Sequence, residues 1–492
     1  MTVSSTGLEP GRGGVRRFRP GVGWKVRGFI VLRKIGKKAH LLIVLTMFLV
    51  LTLHGGTAAK ENGITLQEAI ELALANPNNL GAAQRAVDEA AAKKAQAAAS
   101  RWPALSFNSQ YTKIGPHTTV DMTDLTVYPL PDGSMRVIPG ITDAEASGSY
   151  NTGFSLQLPL YMGGKLNSAV KLAGYGEESA ELSYALETEN LIQQVIQAYI
   201  GYLKVDRMWV LSQEQIKILN EHLRLVETNL RLGYAAKTDL LATEIQLTQA
   251  ELAAVKAEHG RKLAAEHLSN LLGIDPTALV LRSEPRIKAD FALPTVESAL
   301  QQAEKERPEL KNLAVAIRMA EENLKMSQGY WKPNLALVGT YGTQNQSSPT
   351  LDDAIWTYTL NLDWKLWSGG AGRAEAKAAA ANLDKLQHQW AQSKELIALE
   401  VRQNFLAVAE AGRVRELTAL IRRQAEENYE LVKAKYELGA ATNLELLTAQ
   451  TTLNSALNDQ VTAEYDYYLA VSAFYKTLGQ TAQFLQEVSE DA

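Results

Sequence analysis

The 492-residue sequence contains no cysteine. It can therefore form no disulfide framework, no thiolate metal site and no lipid-modified N-terminal cysteine. Histidine is also scarce, and the five histidines after residue 59 show no HExxH motif or comparable ligand spacing. His259 and His267 are about 12 Å apart along a helix, too far to share a metal ion. We predict no catalytic centre, no cofactor and no metal site, and we expect the histidines to lie on helix surfaces.

An apolar run long enough to cross a membrane as a helix is also missing. The longest candidate, residues 41–53, has about 13 residues, too few to span a bilayer comfortably. It follows ten Lys or Arg residues and a single acid, and it precedes the small residues 55–59. This order predicts a secretory signal peptide over residues 1–59. If the rest of the chain contacts a membrane, it must do so with strands.

An excess of basic charge is present only in that leader. The leader carries a charge of +9 and the whole chain −4, so residues 60–492 carry −13. An acidic chain has no electrostatic attraction for nucleic acid. We therefore predict no nucleic-acid partner.

What the sequence does contain is an internal repeat. Three glycines in similar local sequences recur at a constant spacing of 206 residues: Gly163, Gly233 and Gly273 return as Gly369, Gly439 and Gly479. Pro103 and Tyr111 return 230 residues later, so the first copy carries 24 extra residues between Tyr111 and Gly163. This period indicates a duplicated domain-sized element rather than a solenoid. The predicted organisation is a first repeat at 60–273, a connecting segment at 274–293, a second repeat at 294–479 and a C-terminal tail at 480–492.

Four segments, two in each copy, alternate apolar and polar residues with the period of a β-strand. They lie at 104–111, 151–161, 335–341 and 358–366. Such strands fit an outer-membrane barrel, although a half-buried soluble sheet gives the same alternation. Tyr358, Trp364 and Trp367 favour an interfacial aromatic girdle over a stacking platform. The 39 residues at 112–150 contain four prolines and predict an irregular external loop.

Most of the remaining sequence predicts helix. No proline occurs between Pro159 and Pro276, or after Pro349, and both stretches are rich in Ala, Leu, Gln and Glu. Residues 168–232 would form one helix of roughly 98 Å. Mostly apolar residues step by three and four, as in a coiled-coil seam, at Ile216, Leu219, Leu223, Val226 and Leu230, and again at Leu241, Ile245, Thr248, Leu252 and Val255. Helices this long must pack on one another or on neighbouring chains; the alternative is an ordinary helical bundle.

These patterns predict a mainly α fold, with a small transmembrane β-barrel contribution if the four strands lie in a membrane. Four strands per chain cannot close a barrel, and an open sheet edge is not tolerated in lipid. If the strands are transmembrane, the barrel must therefore be closed by oligomerisation. The order of elements places both strand hairpins at one end of a long coiled-coil helical tunnel and both glycine-containing turns at the other end.

The combination resembles the TolC-like outer membrane efflux proteins over roughly residues 62–480. The resemblance rests on 158–164 and 233–241 together with their repeats at 364–370 and 439–447. It implies a homotrimer in the outer membrane, with a 12-stranded barrel continued by a helical tunnel across the periplasm. The implied function is the exit duct of a tripartite efflux system, with a periplasmic adaptor protein and an inner-membrane pump as partners. The duct of a type I protein secretion system and a soluble periplasmic coiled-coil adaptor are the alternatives.

The resemblance also implies functional residues at the helix tips. Asp239, Tyr436 and Glu445 match the carboxylates and the tyrosine that close the periplasmic entrance of family members. The match is incomplete, because Thr448 stands where a second acid would be and Ala441 where a latch arginine would be. The closed state is therefore expected to be held differently here.

The turns at Gly233 and Gly439, together with Thr238 and Asn443, are the predicted contacts for the adaptor. A structural interpretation stands beside this one. Thr238 and Asn443 are candidate N-caps, and the two carboxylates of the entrance then complement the helix dipoles. Both interpretations can hold together.

Overall fold

The computed structural model describes residues 63–144, 147–282, 286–287, 293–346 and 348–489. The predicted signal peptide, residues 1–59, lies outside these described residues, as does part of the predicted connecting segment. Each copy of the repeat contains two helices, a strand hairpin, a long helix and a shorter helix, in that order. The first copy carries two additional strands within its hairpin.

The elements are numbered in chain order. The first copy comprises α1 (Leu66–Ala75), α2 (Pro77–Ala99), β1 (Ala104–Ile114), β2 (His117–Pro129), β3 (Met135–Ala144), β4 (Ser147–Met162), α3 (Lys165–Arg231) and α4 (Lys237–Leu272). A short strand, β5 (Arg286–Ile287), precedes the second copy. That copy comprises α5 (Val296–Glu306), α6 (Pro308–Gln328), β6 (Asn334–Asn345), β7 (Ile355–Asp363), α7 (Ala371–Glu437) and α8 (Asn443–Thr477). The chain continues into α9 (Phe484–Glu487) and β8 (Val488–Ser489), and β8 pairs with β5.

The two long helices have the same length and begin in the same way. α3 and α7 each contain 67 residues, or about 100 Å at 1.5 Å per residue. Each is preceded by a glycine N-cap with positive φ, Gly164 at 89° and Gly370 at 87°. Glycine is needed there because a side chain would be strained in this left-handed conformation. The paired glycines of the sequence repeat therefore mark one strand-to-helix junction that is used twice.

Four strands form one antiparallel sheet in the order β1, β4, β6 and β7. The prediction of four sheet strands per chain is confirmed. The sheet is open, because β1 and β7 each have a neighbour on one side only. The backbone N–H and C=O groups on the outer sides of β1 and β7 therefore find no partner among the sheet strands of this chain.

The sheet has one apolar and one polar face, because side chains alternate along each strand. The apolar face contains the row Phe107, Phe154, Tyr341 and Trp356 and the row Leu158, Leu337 and Leu360. The polar face contains the row Ser106, Ser155, Thr340 and Thr357 and the row Gln110, Asn151 and Gln344. The polar rows consist of hydroxyl and amide side chains and carry no charge.

The prediction of an irregular loop over 112–150 is wrong. β1 and β4 extend into this segment, and β2 and β3 pair as a two-stranded antiparallel ribbon. Val, Ile and Thr are frequent in the ribbon and favour strands. Its prolines are tolerated because each strand has a single partner, so a missing N–H need not break a ladder. The turn uses Gly133, at φ 84°, and Asp132, which accepts hydrogen bonds from the backbone and hydroxyl of Ser134.

The main buried cluster lies where α1 and α5 pack against the long helices and α8. Tyr199 of α3, Val401 of α7 and Phe474 of α8 are fully buried in it. Tyr199 donates its hydroxyl to the carbonyl of Ile64 at 3.1 Å, which satisfies the polar end of the ring. In the described part of the chain, no helix combines the length and the apolar character needed to cross a membrane.

The two predicted coiled-coil stripes have different environments. On α3, Leu219 and Val226 are buried, so this stripe is a seam within the chain. The buried side of α4 is formed by Leu240, Thr243 and Ala254. The apolar members of the predicted α4 stripe lie on another side and are between 47% and 57% exposed: Leu241, Ile245, Leu252 and Val255. This stripe forms no seam within the chain and leaves an apolar strip on its surface.

Arg307 connects the junction of α5 and α6 to both α7 and α8, near the buried cluster. It stands between α5 and α6 and is 6% exposed. Its Nε donates to the carbonyl of Thr477, at the end of α8, at 2.8 Å, and its guanidinium lies 2.7 Å from the carboxylate of Glu400 on α7. One buried side chain thus satisfies a helix C-terminal carbonyl and pairs with a carboxylate.

Replacing Arg307 with Ala is expected to lower the free energy of unfolding by about 1–3 kcal/mol, because the Thr477 carbonyl loses its charged donor. The control is Arg413→Ala, which removes an exposed ion pair with Glu416 and should cost less than about 1 kcal/mol. Chemical denaturation of both variants measures the difference. Equal stabilities would contradict this role of Arg307.

Candidate functional site

The candidate site lies in two turns, at the ends of the long helices away from the sheet. One turn joins α3 to α4 through Gly233, and the other joins α7 to α8 through Gly439. The first ends α3 with a Schellman motif, in which Tyr234 N–H donates to Asn229 O at 2.8 Å; the equivalent bond from Ala440 N–H is 2.7 Å. Positive φ values of 83° and 73° favour glycine at the two turn positions.

The prediction that Asn443 is an N-cap is wrong. Thr442 caps α8: its hydroxyl accepts the Glu445 N–H at 3.2 Å, while Glu445 Oε2 accepts the Thr442 N–H at 2.7 Å. Thr442 has the extended conformation that points its hydroxyl at the open N–H groups of the first turn. Asn443 is already helical and buried, so its side chain is directed elsewhere.

The prediction that Thr238 is an N-cap is also wrong, for a related reason. α4 begins after Ala236, which has no side-chain acceptor. Asp239 compensates, because its Oδ2 accepts the backbone N–H of Ala236 at 2.9 Å. Thr238 is an exposed residue in the first turn of the helix.

Both predicted entrance carboxylates therefore accept backbone N–H groups at helix N-termini. These bonds hold the pKa of Glu445 below its ordinary value; the backbone N–H of Thr442 contributes most and its hydroxyl next. The negative charge also complements the positive end of the helix dipole. A capping role thus exists at both positions, and it leaves the outer side of each carboxylate open to solvent, since Glu445 is exposed and Asp239 partly exposed.

A buried polar cluster connects the two helical hairpins just behind the tips. His222 of α3 is 8% exposed and Asn443 of α8 is 6% exposed. His222 Nε2 lies 2.7 Å from Asn443 Oδ1. Asn443 Nδ2 in turn donates to the carbonyl of Asp239 at 3.1 Å and to the hydroxyl of Thr243 at 3.4 Å, both on α4. One asparagine therefore links the start of α8 to both helices of the other hairpin.

Tyr436 of α7 completes this cluster. Its ring lies edge-on to the His222 imidazole, with centroids 5.5 Å apart. Burial raises the pKa of Tyr436 above its ordinary value, the charge of Asp239 adds to the effect, and a hydrogen bond with Asn229 opposes it. The structure thus brings Asp239, Tyr436 and Asn443 together, and it places Glu445 in the cap of α8.

Sequence reasoning missed His222. The expectation that isolated helical histidines lie on the surface is wrong for this residue. A signal was present: His222 stands three residues after Leu219 and four before Val226, on the buried stripe of α3. A polar residue on such a stripe needs a buried partner.

Two positions that depart from the family pattern have local explanations. Thr448, where a second acid was expected, donates its hydroxyl to the carbonyl of Leu444 in its own helix at 2.7 Å. Ala441, where a latch arginine was expected, offers no polar side-chain atom. Within the described ranges, no group of three or more His, Asp or Glu residues has the arrangement needed to hold a metal ion.

An open sheet with an apolar face, joined to long paired helices that end in glycine turns, defines a channel-type protein of the outer membrane. Residues 69–274 and 299–480 match the model of the family described as outer membrane efflux protein. The match covers more than half of the chain, and the protein belongs to this family. It is an outer-membrane efflux channel protein that extends into the periplasm, and the soluble adaptor alternative is thereby excluded.

Individual relatives are distant in sequence and close in fold. The chain is 24% identical over 336 residues to the alkaline protease secretion protein AprF of Pseudomonas aeruginosa, covering 65% of this chain and 68% of AprF. It is 22% identical over 352 residues to the outer membrane protein TolC of Escherichia coli, covering 67% and 70%. The solved structure of VceC from Vibrio cholerae superposes with a TM-score of 0.69 at 18% identity, covering 84% and 96%. That structural likeness shows a shared fold.

The corrected cap assignment makes a direct prediction. Thr442→Ala removes the hydroxyl that accepts the first-turn N–H of α8 and should lower the free energy of unfolding by about 1 kcal/mol. Thr238→Ala changes an exposed residue inside the helix and should alter it by less than about 0.5 kcal/mol. Paired denaturation curves measure both values. A larger loss for Thr238→Ala would restore Thr238 as the capping residue.

Proposed function

We propose that the protein is a homotrimeric outer-membrane duct, the exit of a tripartite efflux system, and that it catalyses no reaction of its own. In this proposal each chain gives four strands to a 12-stranded barrel. The helices continue the passage through the periplasm, and the tips face an adaptor protein and an inner-membrane pump. The observation that carries the proposal is the open four-stranded sheet with one apolar face and one face of mainly hydroxyl and amide side chains.

The sheet supports a barrel shared between chains. Unpaired backbone N–H and C=O groups on β1 and β7 are costly in the hydrocarbon of a membrane, where no water can satisfy them. Pairing β1 of one chain with β7 of the next removes both edges at once, and three copies supply enough strands for a small barrel. The apolar face then meets lipid, and the hydroxyl and amide face lines a water-filled lumen.

Aromatic residues support the same placement. Trp356 lies near the outer end of β7, and Trp364 follows its last residue on the helix side. Eight residues at about 3.3 Å each separate them by about 26 Å along the strand, which is about 20 Å along the membrane normal for a strand tilted by about 40°, close to the apolar band of about 25 Å on outer-membrane barrels. Trp364 also donates its Nε1–H to the carbonyl of Trp331 at 2.9 Å. The polar atom of an interfacial indole is thus paired while its ring stays exposed.

Exposed apolar strips on the helices support association over their whole length. The strip on α4, Leu241 to Val255, is about half exposed in the single chain, and α7 carries similarly exposed Leu396, Leu399 and Leu406. Rows of this kind are costly in water and typical of a surface that a neighbouring chain covers. A threefold tunnel places the helices of one chain against those of the next.

The tips support the role of an entrance. Asp239 and Glu445 occupy equivalent positions in the two hairpins, 206 residues apart. Three chains would bring up to six of these carboxylates into a narrow ring, which attracts cations and is only partly screened by salt at short range. Gly233, Gly439, Thr238 and Asn443 mark the tip segments that we propose meet the adaptor.

Secretion of a protein by a type I system remains the second candidate. The similarity to AprF, a protein named for alkaline protease secretion, favours it. The two candidates share the duct and its trimeric barrel, and they differ in the partner and in the cargo. Identification of the adaptor that co-purifies with the protein distinguishes them.

The proposed barrel requires three chains. Solubilised in mild detergent, the folded protein should have the mass of a trimer in native mass spectrometry, because lipid or detergent cannot satisfy the backbone edges of β1 and β7. Circular dichroism of the same sample verifies that its helices are folded. A monodisperse folded monomer would refute the shared barrel.

The proposed carboxylate ring is tested with two double variants. Asp239→Asn with Glu445→Gln keeps an acceptor for each capping N–H and removes the charge, so cation selectivity and block by multivalent cations in planar bilayers should fall while stability is largely retained. Asp239→Ala with Glu445→Ala should lose selectivity and also stability, because the caps are lost. Unchanged selectivity in the amide variant would reduce both carboxylates to structural caps.

A further inference from the structure

The orientation of the buried Asn443 amide determines which imidazole nitrogen of His222 carries the proton. The carbonyl of Asp239 can only accept, so the Asn443 atom facing it at 3.1 Å is the Nδ2 donor. Asn443 Oδ1 therefore faces His222, and an acceptor at 2.7 Å requires a donor on the ring. The hydrogen bond to Asn443 therefore requires a hydrogen on Nε2, and the neutral form of His222 in the intact cluster is the Nε2–H tautomer.

A second proton on this ring would be poorly tolerated. Burial lowers the pKa of His222 from its ordinary value of 6.5, and the hydrogen bond to Asn443 only partly opposes this effect. The added proton would sit on Nδ1 and place a full positive charge in a site that is 8% exposed. The hydrogen bond to Asn443 would survive protonation; the penalty is the burial of the charge.

The titratable groups on the packed helices do not offset that charge. On α7 it is Tyr436 whose ring contacts the imidazole. Asp239 of α4 directs its carboxylate to the N–H of Ala236, and Glu445 of α8 directs its own to Thr442. Glu221, the neighbour of His222 on α3, is exposed. None of these groups hydrogen-bonds to the imidazole within the described residues.

The cluster breaks the symmetry of the duplication. The repeat spacing of 206 residues relates His222 to Asn428 and Asn443 to Lys237. Both counterparts are exposed. The duplicated positions therefore do not form a second copy of this contact, which occurs once between the two hairpins.

We propose that His222 is a positioning residue for the entrance: neutral, it holds the two hairpins together through Asn443, and protonated, it leaves its buried site and releases the tips. The proposal rests on the proposed function only for its consequence, the opening of a passage. The sign follows from linkage. We call the contact between His222 and Asn443 the clasp; it is formed in the clasped state and broken in the released state. The clasped state binds fewer protons than the released state, so the clasp is complete well above pH 6.5 and weakens as the pH falls below 6.5. Glu445, with its lowered pKa, titrates at lower pH and does not obscure this window.

The absence of cysteine allows a clean distance measurement between the tips. Spin labels are attached to Tyr234→Cys and Leu438→Cys, two residues that are 84% and 85% exposed in the two turns. The labelled chain is co-expressed at low fraction with the cysteine-free chain, so that labelled chains are isolated from one another. Pulsed electron resonance then records the tip separation between pH 7.5 and 5.5. We expect a second, longer distance to grow as the pH falls, with a midpoint below 6.5.

Two non-titrating variants test whether His222 is the origin of this response. His222→Gln keeps an N–H donor for Asn443, and His222→Leu keeps the burial without a donor. Both should lose the pH dependence: the first with the tips together throughout, the second with more separated tips at every pH. His388→Gln, at an exposed histidine of α7, is the matched control and should respond as the natural chain does. An unchanged pH response in either folded His222 variant, or no response in the natural chain, overturns the proposal.

Planar-bilayer conductance over the same pH range separates the clasp from the channel. A rise in conductance that parallels the tip separation and is absent in His222→Gln supports both the clasp and the assignment of the tips as the entrance. Tip separation without any change in conductance supports the clasp and overturns the assignment of these tips as the entrance.

Discussion

The structure depends on the constraint that a backbone N–H or C=O group cannot remain unpaired in hydrocarbon. The four sheet strands satisfy one another except along β1 and β7. Those two edges make the single chain incomplete in a membrane, and repetition of the chain around an axis is the economical solution. The exposed apolar strips on α4 and α7 are likewise costly in water unless a neighbouring chain covers them. Both the strands and the helices therefore present surfaces that another copy can cover.

The duplication explains much of the remaining architecture. Each copy uses glycine at the same three places: the junction of strand and long helix, the turn at the helix tip, and the C-terminal end of the shorter helix. The copies differ where function is proposed. α8 has a threonine cap and α4 an alanine, and the buried pair of His222 and Asn443 has exposed counterparts. The common features build a duct, and the differences tie one hairpin to the other.

The long helices and the four sheet strands were predictable, because their periodicity is a local property of the sequence. The ribbon of β2 and β3 was not, because its prolines were interpreted as breaking strands although a two-stranded ribbon tolerates them. The N-caps were placed wrongly because Thr238 and Asn443 are of the residue types that cap helices. Only the backbone conformation identifies Ala236 and Thr442 as the N-cap residues that precede α4 and α8. The position of His222 on the buried stripe of α3 indicated a buried partner, but the contact spans 221 residues of sequence and no local pattern identifies Asn443 as that partner.

Cross-linking between the sheet edges tests the central claim most directly. Asn108→Cys on β1 is combined in turn with a cysteine at Thr357, Thr359 or Asn361 on β7, since all four residues lie on the polar face. Oxidation of the membranes is followed by non-reducing electrophoresis, and no native cysteine contributes background. The account predicts that at least one register gives a ladder that ends at three linked chains. Failure to link in every register, with the protein folded in the outer membrane, would contradict it.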